Sequence, residues 1–355
     1  MNLLLPVAGG STRFPNMKPK WLLTNPNGNL MIFEAIKGLD LKKYNKIYII
    51  ALDEHLQEFK FKSGIKRQFM QNDCGDKLEF IILKQRTTSQ PETVAKAIIQ
   101  ANIKGQIYIK DSDNYFVESR QSGNFVSTFD LNDMDLVNAK NMSYVVTNDQ
   151  DILLNIVEKR VISSTFNVGG YGFESANKFV EYYNKLKDYD DLYISHVIYK
   201  MILDGIEFQK SDVKKYLDWG TLKEWNSYIA QFSTLFINID GILVKKSSEY
   251  FEPVYGNTEK IDSNVEAVNK LYNNGKVHVI LTTSRTEQYK EITIDQLNRE
   301  GIKYHQIIFN LNQGKNVVVN DYSPTNPYKS CDAINIKSGG SDLKEMLEES
   351  LRTSI

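Results

Sequence analysis

A loop of small residues near the start of the chain could bind a phosphate group. An apolar run at residues 2–7 leads directly into the segment Ala8–Ser11, and Arg13 and Lys20 follow it. Small residues let backbone N–H groups approach a phosphate chain, and the two basic side chains add fixed positive charge. The alternative is an ordinary glycine-containing turn with two exposed basic residues.

Two carboxylates further along the chain could hold a metal ion. Asp111 and Asp113 follow a second apolar run, residues 106–110. Carboxylate oxygens are hard ligands suited to Mg²⁺, which takes its other ligands from water and from substrate phosphates. The alternative is an Asx-turn that closes the strand. Four scattered histidines lack the spacing of a zinc site, so any metal must be held by oxygen.

The elements that position these residues follow the βαβ pattern, in which short apolar runs alternate with longer periodic stretches. This pattern predicts an α/β fold with a mainly parallel sheet, and ligands bind such sheets at the carboxyl ends of the strands. The predicted strands of the first part are 2–7, 46–52, 78–83 and 106–110, and the predicted helices are 30–38, 54–71, 91–103 and 222–231.

A second alternating series begins after residue 231. Its predicted strands are 234–239, 277–282, a short one near 307, and 317–319, and its predicted helices are 264–273 and 287–300. A chain of 355 residues is also long for one domain. We therefore expect two domains, residues 1–231 and 232–355, with the boundary near Phe232.

The composition excludes several classes of partner. Lys and Arg number 43 against 44 Asp and Glu, so the chain has no excess positive charge for a nucleic acid. It has neither a secretion signal nor an apolar run of about 20 residues, which predicts a cytoplasmic protein without a membrane partner. Two distant cysteines favour reduced thiols. Homo-oligomer formation stays open.

The first loop, continued by Pro19 and Lys20, resembles the signature AGxGxR followed by PK of the sugar-phosphate nucleotidyltransferase family, also called nucleoside-diphosphate-sugar pyrophosphorylases. Ser11 stands where that family has its second glycine. The resemblance covers residues 1–231 and implies a Rossmann-like, GT-A-like domain. It implies that Arg13 and Lys20 are catalytic. The implied nucleotide-binding residues are Ala8, Gly9, Gly10, Ser11, Gln90 and Thr93, with Gln90 reading the base.

Other family motifs follow in order. The segment Asp218–Thr221 resembles D-x-GT, which implies that Asp218 shares the metal with an aspartate at the end of the strand 106–110. Asp113 fits that place better than Asp111, but the choice stays open. The EK pair and the NxGxYxF strand of the family imply that Lys159 clamps the acceptor phosphate. The other implied acceptor-binding residues are Glu158, Asn167 and Gly170.

The resemblance implies transfer of a nucleoside monophosphate from a nucleoside triphosphate to a sugar or polyol phosphate, with Mg²⁺ as cofactor and pyrophosphate as product. Capsule or surface-polysaccharide synthesis is the expected setting. The nucleotide stays open among CTP, UTP, dTTP and GTP, with a preference for CTP. The alternatives are a non-catalytic sugar-nucleotide sensor, a glycosyltransferase and an enzyme with a second activity.

The segment Asn238–Val244 resembles motif I of the haloacid dehalogenase superfamily, DxDGTLV, and implies a smaller Rossmann-like domain. Asn238 stands where that superfamily has its nucleophilic aspartate. A carboxamide cannot form the aspartyl-phosphate, so we expect no phosphatase activity. An Asp at position 238 would instead make the enzyme bifunctional. The residues of this second site are Asn238, Asp240, Thr283, Lys315 and Asp321, with Thr283 as the phosphate-binding hydroxyl.

Overall fold

The computed structural model describes residues 1–10, 13–15, 17–120, 122–134, 141–246, 254–321 and 330–351. It has two compact units, residues 1–226 and 227–355. The division falls within the helix Leu222–Ile229, a few residues before Phe232. No helix in these described ranges is long and apolar enough to cross a membrane.

The first unit alternates strands and helices over its first half. In chain order these elements are β1 (Asn2–Pro6), α1 (Met31–Ile36), β2 (Ile47–Leu52), α2 (Asp53–Phe59), α3 (Lys62–Met70), β3 (Leu78–Leu83), α4 (Gln90–Gln100) and β4 (Ile107–Lys110). The later elements are β5 (Asn114–Val117), β6 (Phe125–Asp130), β7 (Ser143–Thr147), β8 (Leu153–Glu158), β9 (Thr165–Phe173), α5 (Ala176–Leu186), α6 (Ile194–Leu203), β10 (Gln209–Asp212), β11 (Lys214–Asp218) and α7 (Leu222–Ile229).

The main sheet of this unit is mixed. Strands β4, β1, β2 and β3 are parallel neighbours, which confirms the predicted parallel core. Strand β9 runs antiparallel to β4 and β6, and β7 pairs with both β8 and β9. Strands β5 and β11 form a separate antiparallel pair. The antiparallel part of the sheet was not predicted.

Apolar side chains pack on both faces of the main sheet. Successive side chains of a strand point to opposite faces, so neighbouring residues enter different clusters. In β1, Leu3 and Leu5 pack in one apolar cluster with residues such as Phe33, while Leu4 packs in another with Val94 of α4. This burial on both sides explains why the strand sequences are almost continuously apolar.

The second unit is a three-stranded parallel sheet in the order β12 (Ser233–Asn238), β13 (Val277–Thr282), β14 (Gln306–Ile308). Its helices are α8 (Asp262–Asn274), α9 (Lys290–Arg299) and α10 (Leu343–Leu351). Side chains from all three strands and all three helices form one apolar core.

Three predicted elements were wrong in extent or existence. The predicted helix 54–71 is two helices, because Lys60 adopts a left-handed conformation, with φ of 47°, and ends α2. The predicted helix 287–300 begins with a separate turn of 3₁₀ helix, Glu287–Tyr289. Residues 317–319 form no strand, and all three valines are exposed. A β-branched sequence forms a strand only where a neighbouring strand pairs with it.

Candidate active site

A cavity of about 460 Å³ in the first unit collects residues from distant parts of the sequence. Most of the predicted site residues line it, namely Arg13, Gln90, Asp111, Asp113, Glu158, Lys159, Asn167 and Asp218. The ends of three strands supply carboxylates to it, because β4 ends before Asp111, β8 ends at Glu158 and β11 ends at Asp218. The cavity therefore lies where several strands end.

Asp113 and Asp218 lie close together because β5 pairs with β11. Strand β5 begins directly after Asp113, and β11 ends at Asp218. Asp218 is opposite Asn114 in the ladder, and the backbone N–H of Trp219 donates to the Asp113 carbonyl at 2.8 Å. A Cβ on Gly220 would lie 3.0 Å from Asp218 Oδ1 and 3.5 Å from Asp113 Oδ2. Glycine at this position therefore leaves open the space on which both carboxylates border.

The electrostatics differ among the three aspartates. Burial, and then the negative charge of Glu224, raise the pKa of Asp218 to about 6. Burial, and then the negative charge of Asp113, raise the pKa of Asp111 to about 6. Burial acts in the same direction on Asp113, but Lys20 and Arg13 outweigh it and hold its pKa below the ordinary value. Asp113 is therefore the carboxylate that stays charged most readily.

Asp111 is held on another side of the cavity. Its carboxylate accepts a hydrogen bond from Gln90 Nε2, and its backbone N–H donates to the Gly169 carbonyl at 2.8 Å. Gly169 has φ of +81°, and a Cβ there would lie 2.3 Å from Asp111 Oδ2. On the open choice between the two aspartates, the geometry pairs Asp113 with Asp218 and pairs Asp111 with Gln90.

The basic residues of the phosphate loop meet Asp113. Lys20 donates to Asp113 Oδ2, and Arg13 Nη2 lies 3.6 Å from the same oxygen. The Arg13 side chain is 54% exposed, whereas that of Lys20 is 18% exposed. Their two positive charges therefore face the carboxylate before any substrate is present.

The small residues of that loop lie outside the cavity wall. Ala8 is buried, and Gly9 and Gly10 are exposed. A Cβ on Gly9 would meet no atom within 4 Å, so packing does not require glycine there. Ser11 lies outside the described residues. The predicted phosphate contacts of this loop remain predictions.

Two predicted contact residues face away from the cavity. Thr93 is buried within α4, where its hydroxyl pairs with that of Thr87 and donates to the Ser89 carbonyl. A Cβ on Gly170 would lie 2.2 Å from the Tyr108 hydroxyl, so this glycine makes room for the core. Both residues satisfy packing inside the unit and do not line the cavity, and the expected nucleotide contact of Thr93 and acceptor contact of Gly170 stay predictions.

Three of the predicted acceptor residues, Glu158, Lys159 and Asn167, form another part of the cavity wall. Lys159 donates to the Tyr193 hydroxyl, which raises the pKa of Lys159. Glu158 accepts from the Ser143 hydroxyl and, at 2.8 Å, from the Ser195 hydroxyl. Asn167 accepts from the Gly169 backbone N–H at 2.9 Å. This part of the cavity wall therefore has the ammonium of Lys159, the carboxylate of Glu158 and the hydroxyls of Ser143 and Tyr193.

Sequence reasoning missed several residues of this wall. Tyr193 precedes α6, and its backbone N–H donates to His196 three residues on, an arrangement that caps the helix. This capping arrangement marks Tyr193 as the residue that starts the helix, which is the local feature by which it could have been found. Tyr171, Tyr216 and Glu224 also line the cavity. No sequence signal marks these three residues as part of the site, and only the folded structure shows that they line the cavity.

Within the described ranges, no three His, Cys, Asp or Glu side chains are grouped as a ready metal site. The residues nevertheless fit a hard divalent cation, because two crowded carboxylates border one open space. Mg²⁺ commonly uses one or two protein carboxylates and completes its shell with waters and substrate phosphates.

The candidate site of the second unit is arranged differently. Asp240 accepts two hydrogen bonds from Arg285, at 2.9 Å from Nε and 2.7 Å from Nη2, and the Arg285 side chain is 0% exposed. Arg285 also donates to Thr293 and Gln296. Asn238 is exposed, and its amide donates to the Asp240 carbonyl. The carboxylate of Asp240 is therefore part of a buried ion pair.

The roles expected of the other three residues of the second site stay predictions. The Thr283 hydroxyl is buried, accepts from the Arg285 backbone N–H and faces Asp240 at 3.4 Å, so it is not open to a phosphate. Lys315 and Asp321 lie in exposed chain without regular structure. Without a strand at 317–319, the fold does not carry these two residues to the end of β12.

Neither a protein-family model nor a curated protein sequence matches the chain. Solved structures do match it. The nucleoside-diphosphate-sugar pyrophosphorylase from Vibrio cholerae aligns with a TM-score of 0.55 and 16% identity, over 64% of this chain and 99% of that chain. A Bacillus anthracis protein assigned as a glucose-1-phosphate thymidylyltransferase aligns with a TM-score of 0.52 and 16% identity, over 65% and 94%.

An apo UDP-glucose pyrophosphorylase aligns with a TM-score of 0.50 and 14% identity, over 63% of this chain and 94% of that chain. Identities this low show the fold alone. Over 64% of its length, this chain therefore has the fold seen in a nucleoside-diphosphate-sugar pyrophosphorylase.

Proposed function

We propose that the first unit transfers a nucleoside monophosphate from a nucleoside triphosphate to a sugar or polyol phosphate and releases pyrophosphate. One observation carries the proposal. A single cavity is lined by Asp113, Asp218 and Arg13 and also by Lys159. The aspartates and Arg13 suit a metal-bound triphosphate, and Lys159 suits the phosphate of an acceptor. The shared fold and the names of the solved relatives support this interpretation.

The proposed reaction needs little proton transfer. A phosphate oxygen of the acceptor attacks the α-phosphorus and forms the new P–O bond, while the bond from the α-phosphorus to the β-phosphate oxygen breaks. Because the attacking oxygen is already anionic at neutral pH, the protein's task is to position both substrates and neutralise charge. Arg13 and Lys20 supply positive charge beside Asp113, and Lys159 orients the acceptor.

Asp113 and Asp218 would hold Mg²⁺, which would neutralise charge on the phosphate oxygens of the bound nucleotide. Asp111 is another carboxylate of the wall, and its hydrogen bond to Gln90 connects it to the residue proposed to read the base. Lys20 and Arg13, which face Asp113 in this structure, can turn to the phosphates when a cation takes their place.

The acceptor pocket offers groups that match a hydroxylated phosphate ester. The ammonium of Lys159 suits the phosphate, and Glu158 and Ser143, which also line the cavity, can pair with hydroxyl groups. Nucleotide-activated sugars and polyols are what capsule and surface-polysaccharide synthesis consumes, so we propose that setting, in the cytoplasm. Among nucleotides we keep the preference for CTP.

For the second unit we propose a haloacid dehalogenase-like domain without phosphatase activity. Asn238 lacks the nucleophilic oxygen, and the buried pair with Arg285 occupies both oxygens of Asp240. This geometry speaks against the bifunctional alternative. It supports a structural role for Asp240.

The test is a pyrophosphate-release screen of CTP, UTP, dTTP and GTP against sugar and polyol phosphates, with Mg²⁺ present. We expect release that requires both substrates, and none from a matched Asp218→Asn protein. A folded protein that releases no pyrophosphate with any pair would contradict the proposal. Release without an acceptor phosphate would indicate a hydrolase instead.

A further inference from the structure

Lys110, the last residue of β4, is a fully buried lysine directly beside the turn that carries Asp111 and Asp113. Its relative exposure is 0%, and its ammonium lies 4.2 Å from the centre of the Phe116 ring. The proposed reaction assigns it no task. A buried charge is costly unless hydrogen bonds and opposite charges compensate it, so its contacts must be strong.

All three hydrogen-bonding directions of the ammonium are used within a single turn. Nζ donates to the Asp111 carbonyl at 2.7 Å, to the Asn114 carbonyl at 3.1 Å, and to the Asn114 side-chain oxygen. Burial lowers the pKa of Lys110, and the negative charges of Asp111 and Asp113 oppose that effect. The three oxygen acceptors match in number the three hydrogens that an ammonium can donate.

These bonds join the two ends of the turn that holds both aspartates. Asn114 then extends the connection, because its side-chain amide donates to the Val168 carbonyl at 2.9 Å. Asn114 is also the residue opposite Asp218 in the pairing of β5 with β11. One ammonium thus connects the turn of Asp113 to the strand of Asp218 through a single residue.

We propose that Lys110 is a positioning residue that holds the turn from Asp111 to Asn114 closed, so that Asp113 and Asp218 border the same open space. The inference rests on the proposed function for its kinetic consequence. It acts through the backbone and through Asn114, because every hydrogen bond of the ammonium goes to the turn. Loss of the ammonium would leave three buried oxygens without their donor, and the turn would rearrange to recover partners.

Lys110→Met tests this role, because methionine has a similar length and no donor. We expect kcat to fall by roughly 10- to 100-fold, the scale on which misplacement by about 1 Å acts, with the KM of the acceptor changed by less than about twofold. Tyr108→Phe is the matched control. Tyr108 lies on the same face of β4, is equally buried and donates or accepts one hydrogen bond with Ser127, outside the turn. Its kcat should stay unchanged.

Hydrogen exchange supplies a readout that does not depend on activity. The backbone N–H of Asp111 donates to the Gly169 carbonyl, and the backbone N–H of Trp219 donates to the Asp113 carbonyl. We expect Lys110→Met to speed exchange at these two amides while β1 and β2 keep their protection. Loss of protection throughout the sheet would show that Lys110 merely stabilises the core, and would overturn the inference.

Asn114→Ala provides a second variant if Lys110→Met fails to fold. It removes one acceptor of the ammonium and should lower kcat in the same direction by a smaller factor. The outcomes separate the two proposals. Absence of transfer in the unmodified protein contradicts the proposed function, whereas an active protein whose Lys110→Met and Asn114→Ala variants keep full kcat contradicts this inference alone.

Discussion

Each unit places an aspartate shortly after a strand and pairs it with arginine, yet the two pairs differ in what surrounds them. In the first unit, Asp113 lines a cavity and meets Arg13, whose side chain is 54% exposed. In the second unit, Asp240 meets Arg285, whose side chain is 0% exposed. The same kind of ion pair therefore faces a cavity in one case and lies within the protein in the other.

The exposure of the arginine determines which ion pair can separate. An exposed cation can leave its carboxylate at little cost, because water compensates both charges. A buried guanidinium cannot, since its departure leaves an uncompensated charge in a medium of low polarity. Arg285 is further held by Thr293 and Gln296. Arg13 is thus suited to leave Asp113 for a substrate, although Lys20, whose side chain is 18% exposed, is the nearer partner of Asp113, and Asp240 is suited to hold the fold.

The sharpest test of this contrast removes the charge of the cavity aspartates. Asp113→Ala and Asp218→Ala should each lower nucleotidyl transfer by roughly a thousandfold or more, because each removes an oxygen ligand from one shared metal. Steady-state pyrophosphate release measures the effect, and circular dichroism checks the fold. Turnover close to that of the unmodified protein in either variant would reject the metal assignment.

The corresponding change in the second unit should act on stability. Asp240→Asn leaves Arg285 buried without a countercharge and should destabilise the second unit by about 3–5 kcal/mol. Hydrogen exchange of peptides from 277–299 reports this locally. The double variant Asp240→Asn/Arg285→Met removes both charges and should recover part of the loss. Equal destabilisation in the single and double variants would show that the ion pair is not the cause.

Lys20 and Lys159 should give different kinetic signatures. Lys20→Ala should lower kcat by roughly 10- to 100-fold, because the charge it supplies acts on the reacting phosphates, whereas Lys159→Ala should mainly raise the KM of the acceptor. Initial rates with each substrate varied in turn separate the two. If Lys159→Ala raised only the KM of the nucleotide, the acceptor site would be misplaced.

A smaller effect should appear in the stability of the first unit. The pKa of Asp218 is raised from 3.8 to about 6, so its charged form opposes folding above that pH. Stabilisation by the protonated form is complete below about pH 3.8 and is lost as pH rises through about 6. In metal-free buffer, Asp218→Asn should therefore raise Tm at pH 7.5, and the gain should shrink as pH falls below 6. A gain that is equal at pH 4.5 and 7.5 would refute the assignment.

The smallest expected effect is none at all. Asn238→Asp restores the nucleophile of the resembled superfamily, but both oxygens of Asp240 are taken by Arg285 and the Thr283 hydroxyl is buried. We expect no phosphate release from sugar or polyol phosphates by either the unmodified protein or this variant. Magnesium-dependent hydrolysis by the variant would show that Arg285 can yield Asp240 to catalysis, and the contrast between the two units would weaken.

The sequence predicted local structure well where one pattern dominated. Strands β2, β3 and β13 lie within a residue of their predicted bounds, because short runs of mostly apolar residues between polar segments are a strong strand signal. The pattern failed at Lys60, where a left-handed residue splits a predicted helix, and at residues 317–319, where no neighbouring strand pairs with the valines. Hydrophobic periodicity predicts neither the backbone angle of one residue nor whether a neighbouring strand will be there to pair.

By itself, the sequence determined which side chains were available for phosphate and metal chemistry, since a strand followed by small residues or carboxylates is a local signal. Only the tertiary structure decided their use. Arg13, Asp113 and Asp218 are far apart in the chain and meet around Gly220 because β5 pairs with β11. Burial likewise turned Asp240 and Arg285 into an internal pair and enclosed Lys110 in its turn. Whether a charge meets water, a ligand or another charge depends on long-range packing, which residue type and spacing do not specify.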